Sequence, residues 1–411
     1  MHRVDKLNQI YNEFREKYDL SKIQSLYILL FLFIGLIFFI CGWFNKSIFL
    51  DLFFPNKNDM FMDYFNSIWY SYDHPYTKYL VIYPPLITSF YNIIGQILIP
   101  FIGEESSTAL RETQLGIMSY ILITIFCIFL FFIIFNKILT KKTSPLTIYI
   151  LAFTIIFSYP FVYAIERGNS IIYTLVFILL FLVYYNSEIK YKRIFAYICL
   201  GIAAGIKIYP LIFGLLLVRQ RNSKEIITCL IIGLICIFVP FIFTDGSINS
   251  LISSISSYSA STSHSDTLIN ISNIISSIFA HHLSPTNITL ISTLISGLLL
   301  IYTAIIVLFS SLSNWKLITI ISINLMIGLG IPTVYLMAYL LIGFLFFLKE
   351  EKEANALNVT YLLYFTIIFA IFMFEPSNLV NTIKAFSAYV ICILLIIEGW
   401  KSICQKLPQI S

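Results

Sequence analysis

Uncharged apolar runs such as 25-SLYILLFLFIGLIFFICGWF-44 recur along this chain and decide what it can become. Each is about twenty residues, enough at ~1.5 Å per residue to cross a hydrocarbon core of about 30 Å. In lipid each such segment must satisfy its own backbone polar groups, so the runs are expected to fold as helices. The 411 residues are 59% hydrophobic and only 11% charged, with a mean hydropathy of +0.88. The expected fold class is therefore an all-α, polytopic membrane helix bundle. Its function must be read from the polar residues left between the runs.

The basic residues order those runs. All but seven of the 26 lysines and arginines fall on one alternating set of loops. These loops hold residues 1–24, Lys137 with Lys141 and Lys142, Lys190 to Arg193, Arg219 to Lys224, and Lys316, Lys349, Lys352, Lys401 and Lys406. A bias of this kind marks cytoplasmic loops. The exceptions are Lys46, Lys57, Lys78, Arg111, Arg167, Lys207 and Lys384, and each needs its own explanation. Parity then asks for twelve spans: 25–44, 115–136, 146–164, 170–186, 194–207, 208–218, 225–244, 289–312, 315–330, 332–348, 357–374 and 379–400.

Two of these assignments rest on argument rather than on an obvious gap. Residues 194–218 have basic clusters at both ends, so they are expected as a short hairpin with Lys207 at its outer tip and Pro210 beside it. Residues 315–348 are too long for one span and are expected to break at Gly328, Gly330 and Pro332. The chain then divides into three parts. Residues 1–24 form a cytoplasmic amphipathic helix (Val4, Leu7, Ile10, Phe14), 25–400 a single transmembrane domain, and 401–411 a cytoplasmic tail. Within the domain, 45–114 and a Ser-rich stretch, 245–288, are long outer loops.

Several function classes drop out. A net charge of +5 spread over membrane loops does not point to nucleic acid. The seven cysteines include no CxxC spacing and none in an outer loop, so they are read as apolar packing residues. His281 and His282, taken with Asp266 or Glu375, match no ligand spacing, so neither a metal nor another cofactor is expected. A transporter or flippase for lipid-linked sugars or polysaccharide is the competing functional class, and a purely structural membrane component is a third. A transporter is expected to carry polar groups at the bilayer midplane. Here Asp51, Asp59, Asp63, Asp73, Glu104, Glu105, Glu112, Glu166, Asp245, Asp266 and Glu375 all sit at or beyond the outer ends of the runs.

The first outer loop is too aromatic for a solvated linker: 63-DYFNSIWYSYDHPYTKYLVIYPPLITSFYNIIGQILIPF-101. Tyrosine and tryptophan favour the headgroup layer. Residues 86–101 are apolar but short for a span, so they are expected as an interfacial or re-entrant helix. Pro84 and Pro85 fix an extended approach to it.

Five stretches in order resemble a known family: 63-DYFNSIWY-70, 83-YPPL-86, 166-ERGNS-170, 201-GIAAGIKIYPL-211 and 332-PTVYLMAY-339. Across residues 25–345 the chain is similar to the GT-C fold, polyprenyl-phosphate-dependent glycosyltransferases of glycosyltransferase family 87, which include bacterial α-mannosyltransferases. The family often carries Trp and His after the late proline, where Tyr335 and Tyr339 stand here. The metal-dependent oligosaccharyltransferase branch is a poorer match, because this chain has no DxD motif.

The resemblance implies transfer of a hexose, mannose foremost, from a polyprenyl-phosphate sugar to a lipid or glycan acceptor. The active site would face the exterior or periplasm of a bacterial inner membrane, among membrane lipids. Such chemistry needs one carboxylate to take the acceptor proton and cations for the leaving lipid phosphate. Asp63 is the expected base, with Asp59 and Asp51 as alternatives. Arg167 and Lys207 are expected at the donor phosphate, and an internal Glu166–Lys207 ion pair is the competing structural reading. Gly168 permits close backbone approach and Asn169 is placed to cap the next helix. Asp59, Asp73, His74, Tyr83, Glu166, Asn169, Tyr209 and Tyr335 complete the expected substrate-binding set, with Asp73 and His74 shaping the acceptor pocket.

Overall fold

The computed structural model describes residues 9, 11–13, 15–44, 57–102, 106–139, 144–261, 271–279, 282–327, 334–369 and 378–406. Helices are the only regular elements among them. Helix α1 (Lys22–Phe44) is followed by two helices of the 45–114 segment, α2 (Met62–Tyr72) and α3 (Pro85–Leu98), and then by α4 (Gln114–Leu139). A bent pair, α5 (Pro145–Ile156) and α6 (Tyr159–Arg167), leads to α7 (Ile171–Tyr184) and α8 (Lys190–Ile206). A 3-10 stretch, Tyr209–Gly214, and the short α9 (Leu215–Arg219) precede α10 (Ser223–Phe238). Beyond a Ser-rich stretch lie α11 (Pro285–Phe309), α12 (Asn314–Ile327), α13 (Leu340–Glu350), α14 (Ala356–Phe369) and α15 (Asn378–Lys406).

Local signals set several starts. Ser144 and Ser284 precede prolines and accept from the backbone N–H groups of Thr147 and Asn287. This is the favoured pairing of a hydroxyl cap with proline in the first turn. A helix expected at 86–101 is present as α3, extended by a 3-10 turn at Ile99–Phe101.

Among the described residues five helices are long and apolar enough to cross a membrane, and the α5–α6 pair, bent by 59°, makes a sixth if counted as one span. The bend falls at Phe157–Ser158, just before Pro160, whose ring cannot continue the preceding helix. The other expected spans include α7, α12 and α14, which are 14 residues each. At ~1.5 Å per residue the described part of each reaches about 21 Å, less than a full hydrocarbon core. The membrane-bundle character therefore stands on fewer full-length helices than the twelve that parity asked for. The breaks expected at Gly328, Gly330 and Pro332 lie outside the described residues, as do Val4, Leu7, Ile10 and Phe14 of the amphipathic pattern.

The chain reverses at Lys207. Helices α8 and α10 run in the same direction, because Glu225 at the start of α10 accepts from Arg193 and Tyr197 near the start of α8. Farther along, Gly201 and Gly205 of α8 lie against Cys236 of α10. A Cβ at Gly205 would sit 2.5 Å from the Leu86 side chain and 3.0 Å from the Cys236 carbonyl, so glycine lets α3, α8 and α10 meet there. Residues 208–220 must return the chain to its starting level, and the Gln220 amide bonds Asn186, which precedes α8, at 3.3 Å.

The basic loops gather at one end of the bundle. There Lys22 pairs with Glu353 at 2.7 Å, Arg219 donates to the Val307 carbonyl, and Ser311 meets Ser402 at 2.6 Å. Most of the seven exceptional cations also acquire an explanation. Lys78 pairs with Asp73, Arg111 donates to the Asn58 carbonyl, and Lys384 lies buried with its Nζ 3.6 Å from the centre of the Tyr159 ring. Arg167 and Lys207 belong to the site below, and Lys46 lies outside the described residues.

Candidate active site

The first turn of α2 dovetails with the corner between α6 and α7. Gly168 adopts φ 70°, and a Cβ there would lie 2.8 Å from Tyr64 Cβ and 3.0 Å from the Phe61 carbonyl. Phe61 is itself in the left-handed region at φ 62°, and its N–H donates to the Glu166 carbonyl at 2.6 Å. Tyr64 and Phe61 then pack on the Tyr120 ring of α4, with centroids 5.2 and 4.4 Å away. Two left-handed residues and an aromatic seat thus fix where Asp63 points.

Asp63 is met from both sides by the 166–170 corner. One carboxylate oxygen accepts from Arg167 at 2.6 Å and the other from Asn169 at 2.8 Å. The second arm of Arg167 pairs with Asp59, so the guanidinium bridges the two acids. The Asn169 side-chain oxygen accepts from the Ile171 N–H at 3.0 Å, which holds its amide toward Asp63. That contact ties Asn169 to the first turn of α7, whose N-cap is Ser170. Burial pushes the Asp63 carboxyl above its ordinary value, while the Asn169 hydrogen bond and the Lys207 charge pull it back down.

Lys207 stands where the α8 backbone becomes extended, at φ −145° and ψ 126°. The negative end of the α8 dipole favours a cation at that point. Its side chain is 7% exposed. Three tyrosine rings surround its Nζ, with centroids at 5.2 Å (Tyr83), 5.8 Å (Tyr335) and 5.9 Å (Tyr209). Ring faces attract a desolvated ammonium, so this cage holds the charge without neutralising it. The Tyr83 carbonyl in turn accepts from the Tyr76 hydroxyl at 2.7 Å, and Pro84 and Pro85 carry the chain into α3.

Glu166 is buried, and among the described residues its carboxylate makes no ion pair, so a Glu166–Lys207 bridge is not formed. Its neighbourhood includes Tyr163, a residue the motifs did not single out. Tyr163 lies within electrostatic reach of both Glu166 and Asp63 and stacks on Tyr335 at 6.4 Å. Its sequence signal is the spacing: Tyr163 and Arg167 are one helical turn apart and share a face of α6.

Asp73 and His74 are not brought to Asp63. Ten residues along α2 separate them from it, about 15 Å of helical rise. They form an exposed group in which Asp73 pairs with Lys78 at 2.8 Å and His74 approaches Asp245 at 3.5 Å. Asp245 also accepts from Thr77 at 2.5 Å. Among the described residues no three His, Cys, Asp or Glu side chains are grouped to hold a metal ion. Asp51, Glu104, Glu105, Asp266, His281 and Glu375 lie outside those residues.

Two apolar grooves are lined by sequence neighbours of Lys207. The larger, about 860 Å³, begins at Ile208 and Tyr209 and descends between α9, α10 and α11 to Val218 and Ile226. The smaller, about 430 Å³, lies between α3, α4, α7 and α8 and reaches Leu86 and Ile206.

No curated protein and no solved structure matches the chain. The family model of glycosyltransferase family 87 matches residues 81–327, more than half of the length. That stretch contains Tyr83, Glu166, Arg167, Asn169, Lys207 and Tyr209, and leaves Asp59, Asp63 and Tyr335 outside it. The match covers more than half of the chain, which therefore belongs to glycosyltransferase family 87.

Proposed function

We propose that the protein transfers a hexose, mannose foremost, from a polyprenyl-phosphate sugar to a lipid or glycan acceptor at the outer boundary of a bacterial inner membrane. The observation that carries this reading is the caged Lys207 lying within electrostatic reach of Asp63, which Arg167 and Asn169 hold, next in sequence to an apolar groove lined by Ile208 and Tyr209. Asp63 takes the proton of the acceptor hydroxyl as that oxygen attacks the anomeric carbon. The bond from that carbon to the phosphate oxygen breaks, and the lipid phosphate leaves as an anion. A single displacement of this kind inverts the anomeric centre. Lys207 supplies the charge that meets the phosphate, in a site dry enough for the attraction to count.

Arg167 has a double role in this scheme. Its inner arm keeps Asp63 aimed, and its outer arm pairs with the more exposed Asp59. A donor phosphate displaces that outer partner. Tyr83, Tyr209 and Tyr335 present faces and hydroxyls to the sugar and phosphate, and Glu166 borders the same space.

The larger groove suits the polyprenyl tail. Its wall on α11 runs from Thr293 to Ala304, about 16 Å of helical rise. Gly297 on this wall has no atom within 4 Å of where a Cβ would stand, so a larger side chain fills the groove without disturbing the bundle. The test is transfer from polyprenyl-phosphate mannose in detergent, with radiolabelled sugar followed into product. Gly297→Leu should raise the donor KM about tenfold. Flux of intact lipid-linked sugar across vesicles without any transfer would replace this reading with a transporter.

A further inference from the structure

Between α2 and α3 the chain forms a strap, residues 73–84, that carries Tyr83 to Lys207. The strap has a backbone it would not keep alone. His74 and Leu80 both lie at φ 50°, in the left-handed region that residues other than glycine rarely adopt. Such backbones persist only where surrounding contacts enforce them. Here the contacts come from the corner that follows the 3-10 turn Val239–Phe243.

Asp245 stands at that corner and gives both carboxylate oxygens to the strap. One accepts from the Tyr76 N–H at 3.3 Å, the other from the Thr77 hydroxyl at 2.5 Å. Among the described residues no lysine or arginine pairs with it. The next residue, Gly246, lies so close to the Tyr76 ring that a Cβ there would overlap it. Phe241 packs on the same ring, with centroids 5.8 Å apart. Tyr76 and Val81 share with Leu251 a small buried cluster separate from the main core, and Tyr83 packs against it.

The Tyr76 ring carries this anchorage inward. Its hydroxyl donates to the Tyr83 carbonyl at 2.7 Å and meets the Thr88 hydroxyl of α3 at 3.2 Å. Tyr83 leads directly into Pro84 and Pro85, and its ring centre stands 5.2 Å from the Lys207 ammonium. Proline restricts the backbone on one side of Tyr83, and Tyr76 holds it on the other. Burying an aromatic ring needs no carboxylate nearby. Holding a strained strap makes use of one, since hydrogen bonds to an ionised acceptor are roughly twice as strong as neutral ones.

Resting on the proposed transfer reaction, we infer that Asp245 is a positioning residue for the donor phosphate. It acts through Tyr76 and Tyr83: Asp245 seats the strap, the strap seats Tyr83, and Tyr83 holds the Lys207 ammonium where the phosphate meets it.

The experiment uses the full-length protein in detergent with polyprenyl-phosphate mannose. Asp245→Ala should raise the donor KM about tenfold, the scale of a lost cation–ring contact. Asp245→Asn keeps an acceptor for Tyr76 without the charge, so the rise should shrink to about threefold. Tyr76→Phe deletes only the hydroxyl that meets Tyr83 and keeps the ring against Gly246 and Phe241, so it serves even if Asp245→Ala does not fold. It should raise the donor KM about fivefold. In a Tyr83→Leu background neither change should add anything, because the residue through which both act is gone. Effects that multiply in the double variants overturn the inference, as does a native donor KM in Tyr76→Phe.

A second measurement needs no transfer. Acetic anhydride modifies free amines, and the modified lysines are read by mass spectrometry. Lys207 should react about fivefold faster in Tyr76→Phe and in Asp245→Ala as its cage opens locally. Lys384, equally buried but on α15, should keep its native rate. Equal acceleration at both lysines means general loosening and overturns the inference, and so does an unchanged rate at Lys207. Failure of the underlying transferase reading looks different: the contrast between the two lysines persists, while mannose never leaves its polyprenyl phosphate even with the native protein.

Discussion

Asp63 has one strong partner for each carboxylate oxygen, and that economy makes its role testable. Asp63→Asn keeps the shape and the hydrogen-bonding capacity but removes the basicity. Transfer should fall by roughly 10²–10⁴, the usual worth of a positioned general base, while donor affinity stays near normal. Asp59→Asn should cost much less, since Asp59 is 43% exposed and touches the centre only through Arg167. Near-normal turnover in Asp63→Asn would move the base to Asp59 or Asp51. The pH profile offers a second handle. The base works only when ionised, so kcat/KM should drop on the acid side through a value above the ordinary 3.8 of an aspartate, because burial raises this carboxyl. The Lys207 charge lowers it. Lys207→Met removes that opposing effect, so the acid limb should move to higher pH, on top of a raised donor KM. A limb that stays in place or moves to lower pH contradicts the coupling of the two residues.

At the scale of elements, the site depends on how α2 seats on the α6–α7 corner. Gly168 has a left-handed backbone and no room for a side chain, so Gly168→Val meets both penalties. The backbone term is about 1–2 kcal/mol and the overpacking term about 1–3 kcal/mol. The expected result is a lower thermal midpoint in detergent together with a loss of transfer as Asp63 swings away. An unchanged midpoint would show that the two elements are not locked together. This contact also marks where sequence reasoning stops. Charges in apolar surroundings are costly, so Arg167 and Lys207 stood out as lone cations, and Gly168 was legible as a point of close approach. The partner of that approach was not, because residues 61 and 64 meet residue 168 only through tertiary packing. Asp73 and His74 were grouped with Asp63 by closeness in sequence, although a helix carries them about 15 Å away. Tyr163 escaped notice because a tyrosine in an apolar run reads as core until its neighbours across the bundle are known. The hairpin at Lys207 was legible because basic flanks on both sides leave only one parity. The number of full-length spans was not, because periodicity and hydropathy do not distinguish a 14-residue helix packed inside a bundle from one that faces lipid.

The whole molecule has two unlike ends, and the reaction depends on which end faces out. The basic loops meet at one end, where Lys22, Arg219 and Lys316 are tied to Glu353, the Val307 carbonyl and Glu398. Asp63, Arg167, Asn169 and the Asp245 group lie at the other. Lys and Arg bias in short loops sets orientation during insertion, so the proposed orientation puts the first end in the cytoplasm and the second outside. A natural reporter exists for the inner end: Cys404 is exposed near the end of α15. Lys78, also exposed, supplies a position for an outer one. With the other six cysteines replaced, a membrane-impermeant maleimide applied to intact spheroplasts should label a Lys78→Cys chain there and leave Cys404 untouched. Inverted vesicles should give the opposite pattern. Labelling of both positions from one side would break the parity on which the span assignment rests. Labelling of Cys404 alone from outside would turn the molecule over. The caged lysine and its aspartate would then face the cytoplasm, and a donor in the outer leaflet would no longer be the substrate to test.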